Sequence, residues 1–380
     1  MANKHLKPSL LTSAVAAGLV AVPMSASAQD LNLKISGQIN KTFAIIDNGD
    51  SDAWGVLDNI NSGSRFRFTG SQDVGNGAKM GGVWEWQWSN SSTSGNTFNS
   101  AGEFSERSAS LGDRKTELYY QAGWGKVSLG KGDGAANGTA EVDLSGTTTI
   151  DYAGGNQCII GSITYGTGSS TVTTVTVGTT YSEFDGESRN TRVRYDTPKM
   201  GWGGIAVSLG NQGLVELAYR GSWSIGNGKL AVAAGATDTG DRTNGGPTGG
   251  TFTTTEDSEN RERAMVSASY LMGMGLNFTL SYSTNEPEAG IGATGPSPLK
   301  QSLTYFKVGW KKGKHAFSLS LGEAKNRGST TTDATSTTLA YNFKAAKFAE
   351  MYAGYRVSDS DISTLSKVTS INLGSRIKWK

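Results

Sequence analysis

The sequence predicts an all-β chain, a 16-stranded antiparallel transmembrane β-barrel over residues 29–380. Three observations carry that prediction. Apolar and polar residues alternate with a period of two through almost the whole chain after residue 32. The connections between alternating segments take turns at being long and short. Most tryptophans stand beside the short ones.

The first residues have a different pattern. Lys4 and Lys7 precede an apolar stretch from Leu10 to Val22, and Ala26-Ser27-Ala28 supplies the small residues a signal peptidase needs. Residues 1–28 therefore read as a signal peptide cleaved before Gln29. The apolar stretch is short of the roughly 20 residues a membrane-spanning helix takes. Loss of Lys4 and Lys7 leaves 33 basic residues against 33 acidic ones. A neutral chain has no electrostatic case for binding nucleic acid. Cys158 is the single cysteine, so no intramolecular disulfide is possible. His5 leaves with the leader, so His315 is the one histidine of the mature chain and is expected to face water beside a short turn. Glycine is abundant at 52 residues, proline scarce at 7, and apolar residues make up only 36%.

The strands follow in order. Leu33, Ile35, Gly37 and Ile39 alternate with Lys34, Ser36, Gln38 and Asn40. Arg65-Phe66-Arg67-Phe68-Thr69 comes next, then Trp84, Trp86 and Trp88 interleaved with Glu85 and Gln87. Leu118, Tyr120 and Ala122 lead to Trp124, and Lys126 to Lys131 forms the fifth strand. Val193 and Tyr195 alternate with Arg192 and Arg194. The remaining apolar faces are Ile205–Leu209, Val215–Tyr219, Leu230–Ala234, Ala264–Tyr270, Leu276–Tyr282, Phe306–Trp310, Phe317–Leu321, Leu339–Phe343, Met351–Val357 and Ile371–Trp379. Most segments reach the about 9–11 residues that a strand needs to cross a bilayer, and an even count lets the sheet close.

The long connections read as 47–61, 90–113, 132–188, 238–261, 284–300, 325–334 and 358–367, with a short exception near Asn211. The tight ones are Asp73–Gly77, Gly123–Lys126, Thr197–Gly203, Ser224–Lys229, Met272–Gly275, Lys311–Lys314 and Lys344–Lys347. Long loops at one rim and short turns at the other mark an outer-membrane barrel. Hydrocarbon offers no partner to a backbone N–H, so a sheet in lipid must close on itself. A soluble β-sandwich would alternate similarly, but Trp124, Trp202, Trp223, Trp310 and Trp379 all lie near short turns or the C-terminus, as an aromatic girdle at a lipid boundary would.

Ser64-Arg65-Phe66-Arg67-Phe68-Thr69-Gly70-Ser71-Gln72-Asp73-Val74-Gly75-Asn76-Gly77 resembles the second strand and first turn of the Gram-negative general diffusion porins. Gly125-Lys126-Val127-Ser128-Leu129-Gly130-Lys131 resembles the strand entering that family's constriction loop, and Arg192-Val193-Arg194-Tyr195-Asp196-Thr197-Pro198 the strand leaving it. The resemblance implies a water-filled outer-membrane channel for passive diffusion of ions and small hydrophilic solutes, a homotrimer, and contact with outer-membrane lipid and lipopolysaccharide. It further implies that the third loop, residues 132–188, folds inward and narrows the lumen. That loop holds Asp133, Glu141, Asp143 and Asp151, which the resemblance sets against a basic wall. Alternation puts Arg65, Arg67, Arg192 and Arg194 on the lumen side, with Arg356 and Arg376 inward at other positions. The chain departs from the family in ending Trp379-Lys380, one residue past the aromatic, and in a Thr/Val run at 170–180 that reads as an extra hairpin.

Asp47, Asp50 and Asp52 space oxygen ligands as a loop-bound Ca²⁺ would want, without the distal Glu of a complete calcium loop. No cofactor is otherwise implied. A solute-selective pore, a barrel adhesin or scaffold, and an outer-membrane hydrolase stay open as alternatives. The hydrolase needs a hydroxyl nucleophile within reach of His315.

Overall fold

The computed structural model describes residues 32–99, 102–105, 109–168, 174–240, 261–287, 299–327 and 332–380. The expected leader and most of the long connections at 238–261 and 284–300 lie outside the described residues.

The strands are β1 (Asn32–Asp47), β2 (Asp52–Asp58), β3 (Arg65–Gly75), β4 (Ala78–Ser89), β5 (Ser110–Ala122), β6 (Gly125–Gly132), β7 (Asn190–Asp196), β8 (Gly204–Gly210), β9 (Val215–Ile225), β10 (Gly228–Asp238), β11 (Arg261–Leu271), β12 (Leu276–Pro287), β13 (Gln301–Lys312), β14 (His315–Arg327), β15 (Thr332–Phe343), β16 (Ala349–Ser360) and β17 (Val368–Trp379). From β3 onward each pairs antiparallel with the next, and β17 returns to pair with β1 from Gly37↔Trp379 to Asp47↔Thr369. The sheet is therefore closed. Among the described residues no helix is long and apolar enough to cross a bilayer.

Seventeen strands fill sixteen barrel positions. The expected loop at 47–61 is the correction. Asp52–Asp58 pairs with the Lys41–Asp47 half of β1, and β3 pairs with the Asn32–Gln38 half. Together β2 and β3 make one stave, interrupted at residues 59–64 by a 3₁₀ turn at Ile60–Ser62. The interruption leaves backbone carbonyls without ladder partners. Side-chain amides of β1 supply donors instead: Gln38 Nε2 reaches Ser62 O at 2.7 Å and Gly63 O at 2.9 Å, and Asn40 Nδ2 reaches Ser62 O at 3.0 Å. Buried backbone polar groups rarely go unpaired, and here the amides answer that demand.

The burial pattern is inverted relative to a soluble sandwich. Along β14, Phe317, Leu319 and Leu321 are exposed while Ser318 and Ser320 are buried. The same inversion holds on β13, where Phe306 is exposed and Lys307 is fully buried. An apolar outer face and a polar inner one suit a sheet whose outer solvent is hydrocarbon. Trp124, Trp202, Trp310 and Trp379 are exposed as expected. Tyr195 and Tyr219 stack on the indoles of Trp124 and Trp202 and donate hydrogen bonds to the backbone carbonyls of the same two residues. Trp54 and Trp88 are exposed too, toward the long-loop end, and Trp84 is exposed at mid-strand. At the closing seam Trp379 lies over Gly37, where a Cβ would collide with its ring.

Leu321, exposed at the middle of β14, meets the thickest part of the apolar band. Leu321→Arg is expected to cost about 2–4 kcal/mol of barrel stability, measured by urea titration of protein folded into vesicles.

Candidate functional site

Arg65 and Arg67 point away from the outer face because Phe66 and Phe68 occupy it, with Phe66 stacked on Trp86 at 5.3 Å. Register sets Arg67 opposite Glu85, which is fully buried. Glu85 accepts from Arg67 Nε at 2.6 Å and from Arg114 Nε at 2.7 Å, and Arg65 Nη1 lies 3.6 Å away. Arg376 adds a further positive charge near Arg65 and bonds Ser62 and Glu350. Three guanidiniums thus share one carboxylate.

Arg114 was not legible as a member of this group from a simple alternation. The β4–β5 register shifts between Glu85 and Trp86, leaving Arg114 as the extra residue of a bulge. Bulges re-aim side chains, and this one turns both Arg114 and Lys115 off the outer face. A signal did exist. Leu111 and Leu118 are both exposed yet stand an odd number of residues apart, so the alternation must slip between them.

Arg192 and Arg194 on β7 are consumed differently. Arg192 Nη2 pairs with Glu117 at 2.5 Å, and its Nε donates to Asp133 O at 3.0 Å. Arg194 pairs with Asp196 at 2.7 Å and donates to Gly134 O at 2.7 Å. Both therefore grip the start of the segment that joins β6 to β7.

That segment is tied to the buried face of the later strands. Val142 N and Leu144 N donate to Ser267 and Ser269 Oγ at 3.1 and 2.9 Å, and Ser281 Oγ donates to Ala140 O at 2.7 Å. Arg356 Nη2 donates to Ile150 O at 2.8 Å, and Asn156 Nδ2 to Ser358 Oγ at 2.8 Å. Ile150, Ile159, Ile160 and Ile163 pack with Ala44, Ile46, Leu57 and Tyr352. Residues 170–173 of the Thr/Val run lie outside the described residues; after them Tyr165 N donates to Val175 O at 3.1 Å and Val177 N to Ile163 O at 3.0 Å, followed by a helical turn at Val177–Thr180.

The loop carboxylates do not meet the arginines in the way the resemblance implied. Asp143 and Asp151 both face Lys307 of β13, at 2.7 and 3.1 Å. Asp151 also accepts from Tyr305, Ser318 and Ser320 at 3.2, 3.1 and 2.8 Å. Asp133 pairs with Lys115; burial pushes its carboxyl up, but the ammonium outweighs burial and holds it below the usual range. Glu141 lies beside Asp185 and Glu183. Burial, then the neighbouring carboxylates, push Glu141 well above the usual range. The same causes bring Glu183 up to about 7. Burial brings Asp185 up to about 6, against hydrogen bonds from Ala140 N and Gly138 N. Cys158 is pushed up to about 12 by burial, with Tyr152 Oη 3.1 Å from its sulfur.

Lys307 is the residue the sequence reading passed over. Phe306, Val308 and Trp310 on the outer face imply its inward direction, but nothing local announces partners more than 150 positions away.

The calcium candidates do not converge. Asp50 accepts backbone N–H bonds from Thr167 and Gly168, both at 2.7 Å, Asp47 accepts from Gly49 N, and Asp52 pairs in the β1–β2 ladder. Among the described residues no group of three metal-ligating side chains forms. His315 is on the outer face rather than turned to the interior: it stacks against Phe343 at 5.1 Å, and its Nδ1 is 2.8 Å from Tyr341 Oη. That hydroxyl is a phenol.

The sequence pattern of the Gram-negative porin family matches residues 12–363. The chain belongs to that family. No curated protein matches the sequence at a significant level. Solved structures carry the same fold at low identity. An anion-selective porin from Comamonas acidovorans aligns with a TM-score of 0.60 at 14% identity, over 92% of this chain and 100% of that one. The outer-membrane channel DcaP of Acinetobacter baumannii aligns at 0.58 and 12%, over 93% and 99%. Salmonella typhi OmpF aligns at 0.56 and 11%, over 91% and 97%. The porin is thus an outer-membrane channel for passive diffusion of small solutes.

Lys307→Met strips Asp143 and Asp151 of their cation, and an unpaired buried charge is expensive. The expected cost is about 3–5 kcal/mol, read as a fall in the temperature at which the porin loses its folded gel mobility. Adding Asp143→Asn and Asp151→Asn to that variant should recover part of it.

Proposed function

We propose that this porin is an anion-preferring diffusion channel, narrowed by residues 132–188 and working as a homotrimer. The observation that carries the preference is the shared carboxylate: Glu85 is set against Arg65, Arg67 and Arg114, leaving net positive charge on that wall. Potential in a narrow, low-dielectric passage acts more strongly than in bulk water. Of the acids of 132–188, Asp133 is paired with Lys115, while Asp143 and Asp151 share Lys307, which offsets one of their two charges.

Narrowing is supported by the bonds from 140–156 to Ser267, Ser269, Ser281, Arg356 and Ser358 on the buried face of the later strands. The Comamonas protein with the same fold is an anion-selective porin, which agrees with the reading. Polar solutes would align in the field of the arginine wall, and apolar ones would pay a penalty.

Planar-bilayer recording tests all three parts. Trimeric channels should close in three equal steps, and absence of conductance would favour an adhesin or scaffold. Under a KCl gradient the wild type should show an anion-preferring reversal potential. Arg65→Gln with Arg67→Gln should move it toward cations by a factor of about two or more in permeability ratio, because lumen charge sets selectivity; an unchanged ratio removes these arginines from the role.

pH adds a second reading. Glu183 near 7 and Asp185 near 6 are ionised at pH 8 and protonated at pH 5. Neutralising them subtracts negative charge, so anion preference should rise as pH falls through that window. Glu183→Gln should flatten the upper part of the rise, measured by the same reversal potentials.

A further inference from the structure

The short-turn rim carries a concentration of positive charge that the channel does not use. Lys312 and Lys314 flank the β13–β14 turn, and Lys344 and Lys347 lie in the β15–β16 turn. All four are exposed. The two turns are bonded to one another, since Lys344 N donates to Lys314 O at 2.8 Å and Lys314 Nζ reaches Ala345 O at 3.4 Å. Four ammonium groups are thereby held on one corner. Among the described residues none of the four stands in an ion pair, and the nearby carboxylate of Glu350 is taken by Arg376 and Lys378. Lys311, just inside, adds to the same field.

Directly beside the lysines the outer face is aromatic. His315, Phe317, Tyr341 and Phe343 form a continuous stack, with Phe317 and Tyr341 centroids 4.6 Å apart and His315 against Tyr341 and Phe343. Phe348, in the same turn as Lys347, is 59% exposed. Beyond the stack Leu319 and Leu321 continue as bare apolar surface.

We propose that this corner binds an anionic phospholipid from the leaflet on the short-turn side. The four lysines take the headgroup phosphate, the aromatic stack meets the glycerol and upper acyl region, and the Leu319–Leu321 strip meets the chains. The order of chemistry along the surface is the order along a lipid: cation, aromatic, aliphatic. Long lysine stems let the ammonium groups stay in water while their methylenes lie on the aromatic edge, and aromatic side chains favour that depth. A soluble polyanion would need the lysines but would gain nothing from the stack, which faces hydrocarbon. Basic residues near an anionic membrane surface each contribute a modest electrostatic attraction that adds across a cluster.

Native mass spectrometry of the intact porin offers the test, with phosphatidylglycerol and phosphatidylcholine supplied in equal amounts from neutral detergent. The wild type should retain phosphatidylglycerol over phosphatidylcholine by roughly tenfold or more. The variant Lys312→Gln, Lys314→Gln, Lys344→Gln and Lys347→Gln should bind both alike, with unchanged single-channel conductance as the check that the barrel has formed. The corresponding four Lys→Arg changes should keep the preference. Equal retention by the wild type overturns the proposal, as does a preference that survives in the Gln variant. Displacement of the bound lipid by glycerol 3-phosphate at equal concentration also overturns it, because the apolar part would then contribute nothing.

Discussion

One constraint governs this chain: every backbone N–H and C=O that enters hydrocarbon must find its partner within the protein. The circular ladder from β1 to β17 and back meets it for the strands. Where the ladder lapses, at residues 59–64, Gln38 and Asn40 lend their amides to the stranded carbonyls. The segment between β6 and β7 has little regular structure, and the barrel strands dress their inner face with Ser267, Ser269 and Ser281 to bond its backbone. Serine and threonine buried among strands are the counterpart of leucine exposed outside.

That scaffold decides how charge is distributed. A buried ionic group is tolerated when it is matched and hydrogen-bonded, and costly otherwise. Lys307 is fully buried and meets two carboxylates and two further acceptors, so its charge is spent on holding the segment in place. Around Glu85 the balance is reversed, with more cations than anions on a partly hydrated wall. The charge that holds the segment and the charge left in excess thus lie on different strands, β13 for the first and β3 to β5 for the second.

The barrel was readable because its cause is periodic. Each outward Leu, Ile or Phe repeats the same requirement every second residue, and one sequence suffices to see it. Asp52–Asp58 escaped because acids bound a stretch in which only Trp54 and Val56 mark the outer face, so it resembled the loop around it. The bulge at Arg114 left its trace in the parity of Leu111 and Leu118, which needs counting across a charged run rather than pattern recognition. Arg65, Arg67, Arg192 and Arg194 lie off the apolar outer face, since direction follows from alternation. Their partners do not follow from it: Glu85 and Glu117 are chosen by register, Asp196 lies two residues along the same strand as Arg194, and Lys307 meets Asp143 and Asp151 from the segment joining β6 to β7. Direction is a local property of a strand; pairing belongs to the closed sheet.

The seam between β1 and β17 joins the two strands farthest apart along the chain. Neither can be satisfied by a neighbour made at the same time, so until Gly37 and Trp379 meet, both carry a row of unanswered donors and acceptors along an open edge. Closure is therefore an all-or-nothing event at the end of assembly: a chain lacking its last strand is not a slightly smaller cylinder but a ribbon with two adhesive margins. Such non-local pairing is slow to form and prone to capture by other chains in the meantime. The wide ring of Trp379, laid over a position with no side chain of its own, sits where that final join is made, so the last large residue to arrive also covers the place where the circle closes.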